Sequence, residues 1–197
     1  VDRTKRRILL AALLAVIAVP ALAQYSESYN FLKAVRERDG NKVTEIVSNP
    51  SSTAINSRDR STGEGALHIL ARGREQVWLN FLLASGARVD LQDNQGNTAL
   101  MVTAQIGWTD GAELLLDRGA GVNQQNNSGE TPLILAVQRR DIAMVRLLLG
   151  RGADPNLTDS AAGYSALDYA RRDNRAAPIL RLLQAPRQAQ PTYGPAR

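Results

Sequence analysis

The chain has 197 residues, with one His and no Cys, which excludes a disulfide framework and any metal site built on Cys and His spacing. Its formal net charge is +5, but residues 1–23 hold four basic residues and one acid, so the remainder carries 20 basic residues against 18 acidic. That near-neutral remainder has no dense basic stripe with interleaved aromatics, which argues against DNA or RNA as a partner.

The first element is an N-terminal segment with the layout of an export signal. Arg3, Lys5, Arg6 and Arg7 precede twelve uninterrupted apolar residues, Ile8 to Val19, and Pro20-Ala21-Leu22-Ala23 supplies a small-x-small cleavage site. As a helix, twelve residues rise only about 18 Å, short of the roughly 30 Å bilayer core. The reading therefore predicts a signal peptide over 1–23, cut between Ala23 and Gln24, and no stable membrane anchor afterwards. The strongly apolar run favours the general secretory route over the twin-arginine route that Arg6-Arg7 suggests. Lacking cysteine, the junction offers no site for lipid attachment. A bacterial periplasmic or secreted protein is expected.

Downstream the chain repeats itself. Gly63, Gly96 and Gly129 recur at a step of 33 residues, as do Leu67, Leu100 and Leu133, and Gly86, Gly119 and Gly152. A fixed period of this length predicts stacked supersecondary units, which moves the search for function from a pocket to an extended surface. Units are expected at about 28–58, 59–92, 93–125, 126–158 and 159–185, together a repeat domain over 24–185. A Pro- and Gln-rich tail at 186–197 has little to bury and is expected to be disordered.

The unit from Asn126 shows the chemistry most fully. Asn127-Ser128-Gly129 is turn chemistry, and Thr131-Pro132 opens a helix, the hydroxyl accepting from a free amide and the proline lacking only an N–H without a partner. Leu133, Ala136 and Val137 form an apolar stripe at helical spacing. Met144, Val145, Leu147, Leu148 and Leu149 predict a second helix that is apolar over most of its girth, as if pressed from both sides. Gly152 is expected to end it in the left-handed conformation. Small side chains at Ala136 and Ala170 let neighbouring helices approach closely.

The order of turn glycine, Thr-Pro-Leu, Ala, Leu-Leu and Gly-Ala-Asp-x-Asn resembles the ankyrin repeat, and FLKAVRERDGNKVTEIV, Phe31 to Val47, resembles its first, capping unit. The resemblance implies an all-α solenoid of about five helix-turn-helix units joined by β-turn or hairpin loops. It also implies binding of another protein along the turn tips and the groove-facing side of each first helix. Tip candidates are Glu64, Asn94, Gln95, Asn97, Asn127, Ser128, Glu130 and Tyr164; first-helix candidates are Arg72, Gln105, Ile106, Gln138, Arg139 and Arg172. Their mixture of Arg, Gln and Asn suits a folded, acidic-leaning protein surface or a peptide.

Several positions depart from the family pattern. Where it places glycine between the helices, this chain has Gly107 once, but Arg38, Arg74, Arg140 and Asn174 elsewhere. If that backbone stays left-handed, each Arg costs about 1 kcal/mol relative to Gly. Gly65 replaces a threonine cap, and Pro178 is expected in the first turn of the last helix. Gly111 and Ala112 thin the second helix of the third unit, which predicts the softest part of the stack. Trp78 is expected in the core and Trp108 between units. Arg171, Arg172, Arg175 and Arg181 are expected to give the last unit a polar outer face.

No constellation for catalysis emerges. His68 falls beside a turn it can tie down, and its equivalents are Met101, Ile134 and Asp168, so no column of ligands or bases forms. Gly63-Glu64-Gly65 lacks the third glycine of a dinucleotide fingerprint, and Asp93-Asn94-Gln95-Gly96 lacks the carboxylates of a calcium loop. The expectation is a monomeric, non-enzymatic protein without cofactor or metal, serving as an accessory or scaffold for another exported protein. An inhibitor or immunity protein against a toxin is the alternative, and a hydrolase built on the repeats stands behind both. N-terminal sequencing of the exported species should begin at Gln24; a product retaining residues 1–23 would overturn the signal-peptide reading.

Overall fold

The computed structural model describes residues 27–185. The expected signal segment 1–23, its Ala23–Gln24 junction and the tail 186–197 lie outside the described residues. Among the described residues, ten α-helices run in sequence as five antiparallel pairs: α1 (27–37) with α2 (Gly40–Val47), α3 (Ala66–Gly73) with α4 (Gln76–Ala84), α5 (Ala99–Ile106) with α6 (Thr109–Asp117), α7 (Pro132–Gln138) with α8 (Ile142–Gly150), and α9 (Ala166–Arg172) with α10 (Ala177–Gln184). The only β-type pairing among the described residues is an isolated antiparallel bridge between Thr158 and Ser165. The all-α repeat solenoid expected from the sequence is the fold observed. None of the described helices is long and apolar enough to cross a membrane.

Three of the first helices, α5, α7 and α9, start where the sequence supplies a hydroxyl. Thr98 accepts from the Met101 amide, Thr131 from Ile134 and Ser165 from Asp168, at 3.2–3.4 Å. Gly65 has no side chain for this, and α3 begins without a side-chain cap on its amides. Asp39 and Asp141 cap the second helices α2 and α8 at 3.0 Å. Pro178 lies in the first turn of α10, as expected.

The first helices form the enclosed layer. Every residue from Ala99 to Ala104 and from Pro132 to Val137 is buried, and so are the small residues Ala71, Ala104, Ala136 and Ala170 of the first helices. The sequence reading placed that enclosure on the second helix, and the structure corrects it. In α8, Met144, Val145 and Leu148 are buried, whereas Leu147 and Leu149 are half-buried and Ile142 is exposed. The second helices form the outer layer, with one side towards solvent; Val77 on α4 is 80% exposed.

Two aromatic residues resolve the packing around the thinned helix. Trp108 is buried, and its ring lies over Gly111, where an added Cβ would come within 2.2 Å of Cε3. The space left by the small residues is therefore filled by the indole, and Ala112 is fully buried beside it. Trp78 is half-buried and packs on the core, its ring 3.5 Å from the place of a Cβ on Gly40 in the preceding unit.

Backbone handedness settles the glycine-replacing arginines. Arg38, Arg74 and Arg140 keep the left-handed conformation, with φ of 59°, 54° and 60°, like Gly107 at 67°. Each side chain reaches into the next unit. Arg38 donates to Glu75 and Arg140 to Asp173, while Arg74 donates to the Ile106 carbonyl at 2.7 Å. These bonds offset part of the strain. Asn174 instead opens a short 3-10 turn, Asn174–Ala176.

The turn glycines serve two purposes at once. Gly63, Gly96 and Gly129 have φ of 74°, 79° and 74°, and a Cβ on them would lie 2.5, 2.7 and 2.6 Å from the backbone nitrogens of Asn94, Asn127 and Ser160 in the next tip. Gly163, their counterpart in the last unit, has φ of 68° and nothing within 4 Å of its would-be Cβ. The pair Gly129→Ala and Gly163→Ala separates strain from contact. In urea unfolding, Gly163→Ala should lose about 1 kcal/mol, the left-handed penalty alone, and Gly129→Ala distinctly more. Equal losses would show that the tips do not touch as described.

Candidate binding face

The turn tips are joined into a ladder. The Asn94 amide donates to the Thr62 carbonyl at 2.9 Å, Asn127 to Gln95 at 2.9 Å and Ser160 to Ser128 at 2.8 Å. Side chains repeat the pattern: the Asn94 Nδ2 donates to the Ser61 carbonyl and the Asn127 Nδ2 to the Asn94 carbonyl, both at 3.0 Å. These asparagines are exposed at the tips, yet their amides are rungs between units.

Each tip is internally tied as well. Asp59, Asp93, Asn126 and Asp159 accept from amides two to four residues ahead, closing the turn. Gln92 and Gln125, just before these turns, donate across them: Gln125 Nε2 meets the Gly129 carbonyl at 2.7 Å and the Thr158 carbonyl of the next unit at 2.9 Å. Sequence reasoning passed over these glutamines. Their recurrence at a step of 33 was the available signal. Asn97 is 5% exposed, with Nδ2 donating to Asp93 and Gln95 and Oδ1 accepting from Asn126. Gln95 and Ser128 are exposed at the outermost points.

Between the tips and the ends of the first helices runs a column of residue pairs eight apart. Glu64 pairs with Arg72, and Glu130 accepts from Gln138 at 3.3 Å. Tyr164 carries the Arg172 guanidinium over its ring, 4.5 Å from the centroid. In the third unit Asn97 faces inward, and Gln105 is exposed with its side chain uncommitted to any described residue. Next to it Ile106 is half-buried, and Arg139 donates to the Gln105 carbonyl at 3.2 Å. Of the predicted residues, Asn97 is turned inward and Ile106 is half-buried, while the others lie at the tips or along the ends of the first helices.

The last unit adds residues the sequence did not flag. Tyr169 lies edge-on to Tyr164 with centroids 5.6 Å apart, and its hydroxyl donates to the buried Asp159 at 2.5 Å. This raises the Tyr169 phenol, with burial adding to the effect. Burial of Asp159 favours its neutral form, but the Tyr169 hydroxyl and the amides of Ala162, Tyr164 and Gly163 outweigh it and hold the carboxyl below its ordinary range. Asp59 is held well below that range by the Ser61 hydroxyl, the Arg36 guanidinium and the Ser61 and Thr62 amides.

His68 is buried and structural in its bonding. Nδ1 accepts from the Gly65 amide at 3.2 Å, which fixes the proton on Nε2, and Nε2 donates to the Asn97 carbonyl of the next unit at 2.8 Å. Among the described residues no group of three or more His, Cys, Asp or Glu is placed to hold a metal ion. The family model for ankyrin repeats matches the chain in three overlapping copies, over residues 31–126, 67–159 and 121–192.

The acid-built turns carry a pH prediction. A carboxylate whose pKa is lowered on folding stabilises above its unfolded value of about 4 and loses that stabilisation as pH falls towards the folded value. Asn126 does the same turn-closing work without a charge, accepting from the Ser128 and Glu130 amides at 3.0 and 2.9 Å. The urea midpoint should fall as pH drops from 5 to 2, and Asp59→Asn should make that fall shallower. An unchanged slope would contradict the assignment.

Proposed function

The chain belongs to the ankyrin-repeat family, a family of protein–protein interaction modules, and on that premise we propose that it works outside the cytoplasm by holding another exported protein against the face formed by its tips and first-helix ends. The observation that carries this reading is the bonding of the tips. Their backbone and side-chain amides are held by the neighbouring unit before any partner arrives. A surface already ordered loses little conformational entropy on binding.

The N-terminal layout of basic residues, apolar run and Ala23–Gln24 junction supports an exported location, periplasmic or secreted. An accessory or scaffold role suits a polar face that runs the length of the stack. His68, the lone histidine, is committed at both nitrogens to backbone groups, which supports a non-enzymatic role.

A photo-crosslinking residue placed singly at Gln95, Gln105 and Ser128, and at Arg146 on the outer helix α8 as a control, tests the face in cells. One discrete protein adduct should form from the first three positions and none from Arg146. Adducts from Arg146 alone would move the binding surface to the outer layer.

A further inference from the structure

We propose that the anchor within this face lies in the fifth unit, where Arg172 receives a carboxylate from an acidic stretch of the partner protein. The inference rests on the binding face assigned above. The first-helix column carries Arg36, Arg72, Gln105, Gln138 and Arg172 in successive units. Two of its three cations are closed by acids of this chain: Arg36 by Asp59 at 2.7 Å and Arg72 by Glu64. Arg172 is bonded to no carboxylate or other hydrogen-bond acceptor among the described residues; its one described partner is the Tyr164 ring.

That ring contact prepares the guanidinium for a ligand. A cation over a ring is held by its charge and spends no N–H on an oxygen acceptor, so the guanidinium keeps donors for a carboxylate, which it can meet with two parallel bonds. Tyr164 is braced edge-on by Tyr169, and Tyr169 is fixed by Asp159, which is 4% exposed and also accepts from the Ala162 and Gly163 amides. The cation thus sits at the end of a rigid chain of contacts that starts in the interior.

Acids nearby in the fold are committed elsewhere. Glu130 accepts from Asn126 and Gln138, Asp168 from Ser165 and Arg171, and Asp173 from Arg140 and Arg175. A second cation, Arg139, has no carboxylate partner among the described residues and donates only to a backbone carbonyl. A segment with two acidic side chains complements this end of the face. Two such cations at this end of the face are too few for a phosphate polymer, which needs a longer basic track.

The full chain is titrated by ¹H–¹⁵N NMR with a synthetic twelve-residue peptide of alternating Glu and Ser, and with the same peptide carrying Gln for Glu. Shifts should gather on α7, α9 and the last two tips with the Glu peptide and be absent with the Gln peptide. Arg172→Gln should weaken binding about tenfold. Tyr164→Ala should weaken it too, Tyr164→Phe should preserve it, and Arg146→Gln on the outer helix α8 should leave it unchanged. Circular dichroism confirms that each variant is folded.

Equal response to both peptides, no response to either, or an intact Arg172→Gln response overturns the acidic anchor. Tighter binding of a single-stranded oligonucleotide at the same residues reassigns the site to nucleic acid and overturns it as well. If the peptides fail while crosslinks still form from Gln95 and Gln105, the anchor falls and the binding face stands. If crosslinks move to the outer helices, both fall.

Discussion

Gly63, Gly96 and Gly129 hold their turns at positive φ with the next tip's backbone nitrogen within 2.5–2.7 Å of the place a side chain would begin. That approach lets the amide of each following tip reach the carbonyl before it, and it fixes the spacing at which successive helix pairs stack. A lone pair of these helices has no enclosed side, because the buried surfaces of α5 and α7 exist only between neighbours. Tip contact and helix burial are therefore one constraint seen from two ends: close the tips and the first helices pack on one another, with small residues such as Ala71, Ala104, Ala136 and Ala170 fully enclosed.

Much of this was legible in the residues. The 33-residue period, the Thr131-Pro132 helix start and the glycine stops map directly onto the observed pairs, because turn and cap chemistry is local and leaves a residue-by-residue trace. Which layer is enclosed was not legible. Leu147 and Leu149 look as apolar as Leu148, and only the stacking shows that they are half-buried at the edge of the core while Leu148 is enclosed. The pairing of Trp108 with Gly111 was hidden for a similar reason: a small residue reads as a thin spot until the large one that fills it is placed. Glycine at the turn tips was read as turn chemistry alone, whereas close approach of the next unit is the second, non-local reason for it.

The candidate face shows the same division. Its membership followed from the repeat, since equivalent positions in a solenoid share a side. The commitments of its members did not. Asn94 and Asn127 are rungs, Asn97 is turned inward, Glu64 and Arg72 neutralise one another, and Tyr169 with Asp159 enters unannounced. A face built this way has few uncommitted groups. The clasped pairs order its surface, while among the described residues the Gln105 side chain has no partner, Arg139 bonds only a backbone carbonyl and Arg172 only a ring.

Amide hydrogen exchange of the full chain in its native state tests the central claim most directly. If the tips are rungs between units, the Asn94, Asn127 and Ser160 amides exchange as slowly as those of the enclosed helices α5 and α7. Exchange at the rate of free surface loops would mean that each unit keeps its own turn, and that the ladder does not set the stack.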